Sequence, residues 1–245
     1  MSPAGLGAVE RCHSRDYVER IRAIAEPTWL DVDTVCSETS FEAALLAAGA
    51  AIAAVEQGAF ALVRPPGHHA LAERGMGFCL FNNVAIAARH AQAELGATRV
   101  AIVDWDVHHG NGTQALFRDD PLVLYVSLHQ WPFYPGTGGP GEGNETTLNI
   151  PLPAGAGDEE YRRAFTEVAE PAVRGFRADV VIVSAGFDAY LGDPLGGMNV
   201  SESGFRELAA RSTGLAPRTA AVLEGGYNVE ALPRLVRAAL DGFSE

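Results

Sequence analysis

The sequence predicts an α/β fold, a mostly parallel multi-stranded sheet with helices on both faces. Three observations carry this. Short runs rich in Val, Ile and Ala recur along the chain and alternate with stretches of helical periodicity. The runs are near-continuous in apolar residues, as strands buried on both faces are. Each run also ends in polar residues, so the strand ends share one chemistry. No repeat, low-complexity stretch or composition shift divides the pattern, and a single domain is expected over residues 1–245.

Each element has its own local reason. Thr39 followed by Glu42 reads as a capping box that opens the alanine-rich helix FEAALLAAGAAIAAVEQG. AFALVRPPGHH is a short buried strand that ends at Arg64 and the two prolines. NNVAIAARHAQAELG has helical periodicity and a glycine stop, RVAIVDWD is the next strand, and VLYVSLH the one after. Asp158 is placed to cap DEEYRRAFTEVAEPAVRGF, a helix that Pro171 should kink or end early. ADVVIVSAGFD is a further strand, SESGFRELAARSTGL a helix, and TAAVLEGGYN the last strand before a final helix.

Composition excludes several functions. The formal net charge of -13 argues against DNA or RNA as a partner, because phosphate binding rests on clustered Lys and Arg. It tolerates a cationic substrate. No apolar run reaches the roughly 18 residues of a membrane span, and the N-terminus lacks the basic-then-apolar order of a secretory signal. Three cysteines without a CxxC pair (Cys12, Cys36, Cys79) fit a reducing cytoplasm, where the chain is expected to reside.

The strand ends carry the functional signal. They deliver His68 and His69, then Asp104, Asp106 and His108, then Ser127 and His129, then Asp188, then Tyr227. In open parallel sheets ligands bind in the crevice outside those ends. In DWDVHHGNG, Asp106 and His108 are two apart, so on extended backbone they leave the same face. With Asp188 they form a three-ligand set of the kind an open catalytic zinc site uses. An isolated D-x-H is more often a solvated turn; the HHGNG continuation and the separate aspartate outweigh that here.

His68 and His69 follow the stiff RPPG segment, which fixes where they project. Facing a metal, they suit general base and general acid roles, with Asp104 and Asn111 as candidates to orient the imidazoles. Tyr227 in GGYN could donate a hydrogen bond to a polarised carbonyl. GTGGPGEGN, residues 136–144, lacks the ending of a phosphate loop and reads as a surface loop. Cys79 reads as a packed small hydrophobe.

Taken together, RPPGHH, GFCLFNN, DWDVHHGNGTQ, FYPGTG, SAGFDAYLGDPLGG and EGGYN resemble the zinc-dependent histone deacetylase family. That family also holds acetoin-utilisation proteins and acetylpolyamine amidohydrolases, and the RPPGHH and HHGNG variants resemble its class II-like bacterial branch. The resemblance runs from about His13 to the C-terminus and implies the arginase/deacetylase fold. It implies Asp106, His108 and Asp188 as ligands of zinc, with ferrous iron as the alternative ion. His68 and His69 become the tandem proton-handling pair, and Tyr227 the transition-state tyrosine. Asp33 falls where the family grips the substrate backbone. Gly77 and Phe78, with Phe133 or Tyr134 opposite, would wall a narrow tunnel, and Leu195 stands at its rim. A structural potassium is implied near Asp104, Asp106, His108, Ser127 and Leu128.

The implied reaction is hydrolysis of the amide of N-acetyl-lysine, in a protein or peptide, to acetate and free amine. A deacetylase of acetylpolyamines or other small acetylated amines is the alternative; the apolar Leu195 leans away from it. A catalytically impaired family member and a two-manganese arginase-like hydrolase are the remaining readings. The intact ligands and Tyr227 count against the first, and His109 and Asn111, where bridging aspartates would be needed, count against the second. Two departures stand out. Asn111 replaces an aspartate partner of the second histidine, so that imidazole should charge less readily. The family match also begins almost at once, at RCHSRDYVERIRA, so an N-terminally short domain with an incomplete fold edge and substrate entrance is expected.

Overall fold

The computed structural model describes residues 2–245. In chain order its elements are α1 (Leu6–Val9), α2 (Arg15–Arg22), β1 (Thr28–Trp29), β2 (Val35–Cys36), α3 (Ser40–Gln57), β3 (Phe60–Ala61), α4 (Asn83–Glu94), β4 (Val100–Asp104) and α5 (Asn111–Phe117). There follow β5 (Val123–Gln130), β6 (Thr147–Leu152), α6 (Asp158–Ala164), a π-helical turn (Phe165–Ala169), α7 (Glu170–Phe176), β7 (Val180–Ala185), α8 (Glu202–Ser212), β8 (Arg218–Leu223) and α9 (Leu232–Phe243).

The main sheet has six strands in the order β3-β8-β7-β4-β5-β6, with every pairing parallel. β1 and β2 form a separate antiparallel pair. Along β4 the side chains alternate between two cores. Val100 and Ile102 pack with α3 and α4 residues such as Ala51, Val84 and Ile86. Ala101 and Val103 pack with Tyr161, Phe165, Phe205 and Leu235 on the opposite face. Burial on both faces is why these strands read as continuous apolar runs.

Four local expectations are corrected. Thr39 makes no side-chain cap; α3 instead starts at Ser40, whose hydroxyl accepts the Ser37 N–H at 2.9 Å. Asp158 does not cap α6. Gly157 holds the cap position, and the Asp158 carboxylate instead accepts the Ser201 N–H and hydroxyl at 2.8 and 2.6 Å, tying α6 to α8. Pro171 does not end its helix, because the π turn just before it widens the backbone where the ring would meet the preceding turn. β3 covers only Phe60–Ala61, the chain leaving the sheet early enough for Arg64 to reach across to the end of β8.

β6 was not expected. Pro151 and the polar Thr147 and Asn149 mask it, and it lies at a sheet edge, where a strand tolerates proline. α3, at 18 residues, meets the length and mean hydropathy of a membrane span. Its Ala44, Ala47, Ala48, Ala51 and Ala54 are nonetheless buried in the core, where small side chains allow close packing on α4 and β8.

Candidate functional site

The carboxyl ends of β3, β4, β7 and β8 converge, as the parallel register requires. Asp104, the last residue of β4, pairs with Ser127 on one side and Ser184 on the other. Beyond it the chain turns back on its own carboxylates: Asp104 Oδ1 accepts the Asp106 N–H at 3.1 Å, and Asp106 Oδ1 accepts the His108 N–H at 2.9 Å. These turns aim Asp106 and His108 at the end of β7. There Asp188 Oδ1 accepts the Val107 N–H at 2.8 Å, which locks the two segments together.

Asp106, His108 and Asp188 each offer a ligand atom within 4.8 Å of the others. His108 Nδ1 lies 3.1 Å from both Asp106 Oδ1 and Asp188 Oδ2. Burial disfavours charge on His108, but the two carboxylates reverse this and hold its pKa up at about 10. Burial and the Asp106 charge push Asp188 up to about 7, while His68 and His108 hold Asp106 well below the usual carboxylate range. So much negative charge around one imidazole is the electrostatics of a cation site. Space agrees: a Cβ on Gly225 would lie 2.0 Å from Asp188 Oδ2 and 2.6 Å from Asp106 Oδ2, so glycine keeps the backbone close to the ligands. One imidazole nitrogen and two carboxylates fit a divalent transition metal with an open position.

The two histidines of RPPGHH differ sharply. Their rings lie 4.0 Å apart. His68 Nδ1 is 3.1 Å from Asp104 Oδ2, and Tyr125 donates to the same oxygen at 2.9 Å. Burial alone would lower His68, yet Asp106, Asp104 and Glu224 raise it to about 10. His69 Nδ1 is 2.8 Å from Asn111 Oδ1, and burial together with the neighbouring His68 and His108 drives it well below its ordinary value. The two shifts run in opposite directions, His68 towards the charged form and His69 towards the neutral one.

A cavity of about 570 Å³ opens over this cluster. His69, His108 and Tyr227 line its floor side, and Asp33, Gly77, Phe78, Phe133, Tyr134 and Leu195 its walls and rim. The Phe133 ring stacks on His108 at 5.3 Å, and Tyr134 meets His69 edge-on at 5.2 Å. Phe78 stands 5.7 Å from the Tyr227 ring. Phe78 carries a left-handed backbone, φ 65°, which is strained for a bulky residue. Its N–H is held by Thr34 Oγ1 at 2.9 Å, and that hydroxyl donates to Asp33 at 2.9 Å. A larger hollow of about 730 Å³ lies at the amino ends of β3 and β8, but among the described residues no metal-ligand cluster lines it.

Some expected residues face elsewhere. His129 Nδ1 bonds the Ser127 hydroxyl at 2.9 Å and Nε2 the Gly138 carbonyl at 3.0 Å, so it buttresses the glycine-rich loop and not the cavity. That loop is less superficial than expected. Gly138 and Gly139 are buried, and their N–H groups are filled by the Glu142 carboxylate, which removes any phosphate-binding use. Cys79 is fully buried with its thiol on the Gly77 carbonyl, and burial raises its pKa. Among the residues expected near potassium, Asp104 and Ser127 are paired neighbours and Leu128 follows on β5.

Sequence reasoning missed four supports: Thr34, Arg64, Asp193 and Glu224. Asp193 accepts the Tyr227 and Asn228 N–H groups at 2.7 and 3.0 Å, and so holds the tyrosine's loop. Glu224 and Arg64 stand inside the EGGYN and RPPGHH motifs, but their partners are backbone groups about 160 positions away, which no local spacing records.

Comparison with known proteins agrees with this architecture. The histone deacetylase domain family matches residues 1–243. Histone deacetylase 10, chloroplastic, of Oryza sativa is 43% identical, over 98% of this chain and 61% of its own length. The histone deacetylase-like amidohydrolase of Pseudomonas aeruginosa is 40% identical, over 99% of this chain and 69% of its own length. The chain therefore spans under two thirds of the rice protein. The crystal structure of the HDA15 HD domain superposes with a TM-score of 0.93 at 40% identity, covering 98% of this chain and 72% of that one. With the arginase/deacetylase architecture and the strand-end cluster in place, the chain belongs to the histone deacetylase family of hydrolases.

Proposed function

We propose that the chain is a zinc-dependent deacetylase that hydrolyses the amide of N-acetyl-lysine side chains to acetate and free amine. The observation that carries this reading is the juxtaposition of the Asp106–His108–Asp188 cluster with His69 and Tyr227 around one cavity. Zinc held by those three residues would acidify a water molecule and polarise the acetyl carbonyl. The other steps belong to side chains of the chain itself.

His69 is the proton carrier. With Nδ1 engaged by Asn111, the neutral ring has Nε2 free to take the water's proton and hand it to the departing amine. His68, charged and tied to Asp104, helps keep His69 neutral at rest. Burial, with the Asp188 and Asp106 charges, pushes the Tyr227 phenol far above its ordinary pKa, so it stays protonated and can donate to the developing oxyanion. Phe78, Phe133, Tyr134 and Gly77 would flank a methylene stem, while Leu195 and Asp33 meet the substrate backbone at the mouth. Our reading includes a structural potassium at Asp104, Asp106, His108, Ser127 and Leu128, supported by the Asp104–Ser127 pairing.

The substrate is tested by comparing kcat/KM for an acetyl-lysine peptide and for acetylated diamines. The peptide should be favoured by at least about tenfold, because Leu195 offers no charge to a free ammonium. A preference for the diamines would move the assignment to small acetylated amines.

A further inference from the structure

The tandem histidines and Tyr227 come from different strands, and one buried acid joins them. Glu224 follows β8 and has no exposed surface. Its carboxylate accepts the Gly67 N–H at 2.6 Å, the His68 N–H at 3.2 Å and the Ser184 hydroxyl at 2.9 Å. In the opposite direction, Arg64 donates to the carbonyl of Glu224 and, at 3.2 Å, to that of Gly226. Residues 64–68 and 224–226 therefore clasp each other reciprocally.

The clasp reaches the candidate metal ligands. Between the two carbonyls gripped by Arg64, the Gly225 N–H donates to Asp106 Oδ2 at 2.7 Å. Two of the clasp's glycines could not carry a side chain: a Cβ on Gly67 would lie 2.4 Å from the Asn83 backbone nitrogen, and one on Gly225 2.0 Å from Asp188 Oδ2. Glu224 itself does not line the cavity and reaches the histidine segment through backbone N–H groups alone, and its charge acts on His68 only behind those of Asp106 and Asp104. A buried carboxylate costs free energy unless fully bonded, and this one is bonded to the backbone that carries the histidines.

We infer that Glu224 is a positioning residue, whose carboxylate, with Arg64 gripping from the far side, sets where His68 and His69 stand relative to Tyr227 and Asp106. The consequence for rate rests on the deacetylase reading; the clasp itself does not. Glu224→Gln and Glu224→Ala separate hydrogen bonding from charge. Glutamine can keep its oxygen on Gly67 and His68 while its amide donates to Ser184, so it removes only the charge. Alanine leaves two buried N–H groups unpaired.

The experiment measures amide hydrogen exchange over residues 64–70, bound zinc, and kcat and KM on an acetyl-lysine peptide. Glu224→Ala should speed exchange in that segment by about tenfold or more. Its kcat per bound zinc should fall about tenfold to a hundredfold, with KM within about threefold. Glu224→Gln should restore both exchange and kcat to within about threefold of wild type. If the alanine variant does not fold, Glu224→Asp replaces it, with the carboxylate drawn back by about 1.5 Å and the same two losses expected. A folded alanine or aspartate variant with unchanged exchange or unchanged kcat overturns the inference. So does a glutamine variant as slow as alanine. If the wild type cleaves no acetyl amide, the functional reading fails and the exchange result alone decides the clasp.

Discussion

His69 Nδ1 lies 2.8 Å from Asn111 Oδ1, and the Asn111 amide nitrogen turns the other way, 3.4 Å from the Met76 sulfur. That orientation makes Nδ1 the protonated ring nitrogen and leaves Nε2 as the basic one. A neutral partner adds little to the charged form of His69, while burial and the nearby His68 and His108 oppose it.

Asn111→Asp puts a carboxylate in that place. The charged imidazole is then favoured, so the His69 pKa rises. In the proposed reaction neutral His69 starts turnover, so the acidic limb of the kcat/KM profile should move to higher pH by about one unit or more. Rates at the acidic end of the profile fall most. An unchanged acidic limb would mean that His69 is not the group taking up the proton.

Tyr227 is half-buried, its loop is fixed by Asp193, and its hydroxyl remains protonated at any working pH. Tyr227→Phe should lower kcat about 10²–10³-fold, the scale of losing one oxyanion donor, with bound zinc unchanged. Stopped kinetics and metal analysis check both halves. A loss under about threefold would remove the tyrosine from the mechanism.

His13 contributes to acid stability away from the site. It is buried, Nδ1 faces the Leu71 carbonyl at 3.0 Å, and Nε2 accepts the Asn82 N–H at 2.9 Å. Protonating Nε2 would break the second bond. Burial holds the pKa at about 4, against the pull of the Leu71 and Ala72 carbonyls. The folded value lies below the unfolded one, so between these values the unfolded chain binds more protons and stability rises with pH. The contribution is full above about pH 6.5 and is lost as pH falls towards 4. At pH 5 about 2 kcal/mol should be gone. Urea unfolding of wild type and His13→Gln should therefore show a difference that shrinks by about that amount between pH 7.5 and pH 5. A difference independent of pH contradicts this.

The strands were legible because burial on both faces leaves an unbroken apolar record, as in RVAIVD and ADVVIVSA. The candidate metal cluster was legible because its residues sit at the ends of those strands, where direction and spacing alone aim them. Helix caps were not. Thr39 and Asp158 have the right chemistry, but Ser37 and Ser201 compete for the same bonds, and that competition is decided in three dimensions. β6 was hidden because an edge strand can keep a proline and polar residues. Glu224, Arg64 and Thr34 escaped for another reason: they act on backbone brought from far along the chain, and no spacing records such a partner.

The deacetylase reading requires Asp106, His108 and Asp188 to hold the metal. Acetate release from an acetyl-lysine peptide, by zinc-reconstituted protein alongside Asp188→Ala, tests it most directly. Zinc-dependent release is expected from the wild type, with loss of both bound zinc and release in the variant. Turnover that persists in Asp188→Ala, or a folded, zinc-loaded wild type that releases no acetate, would contradict it.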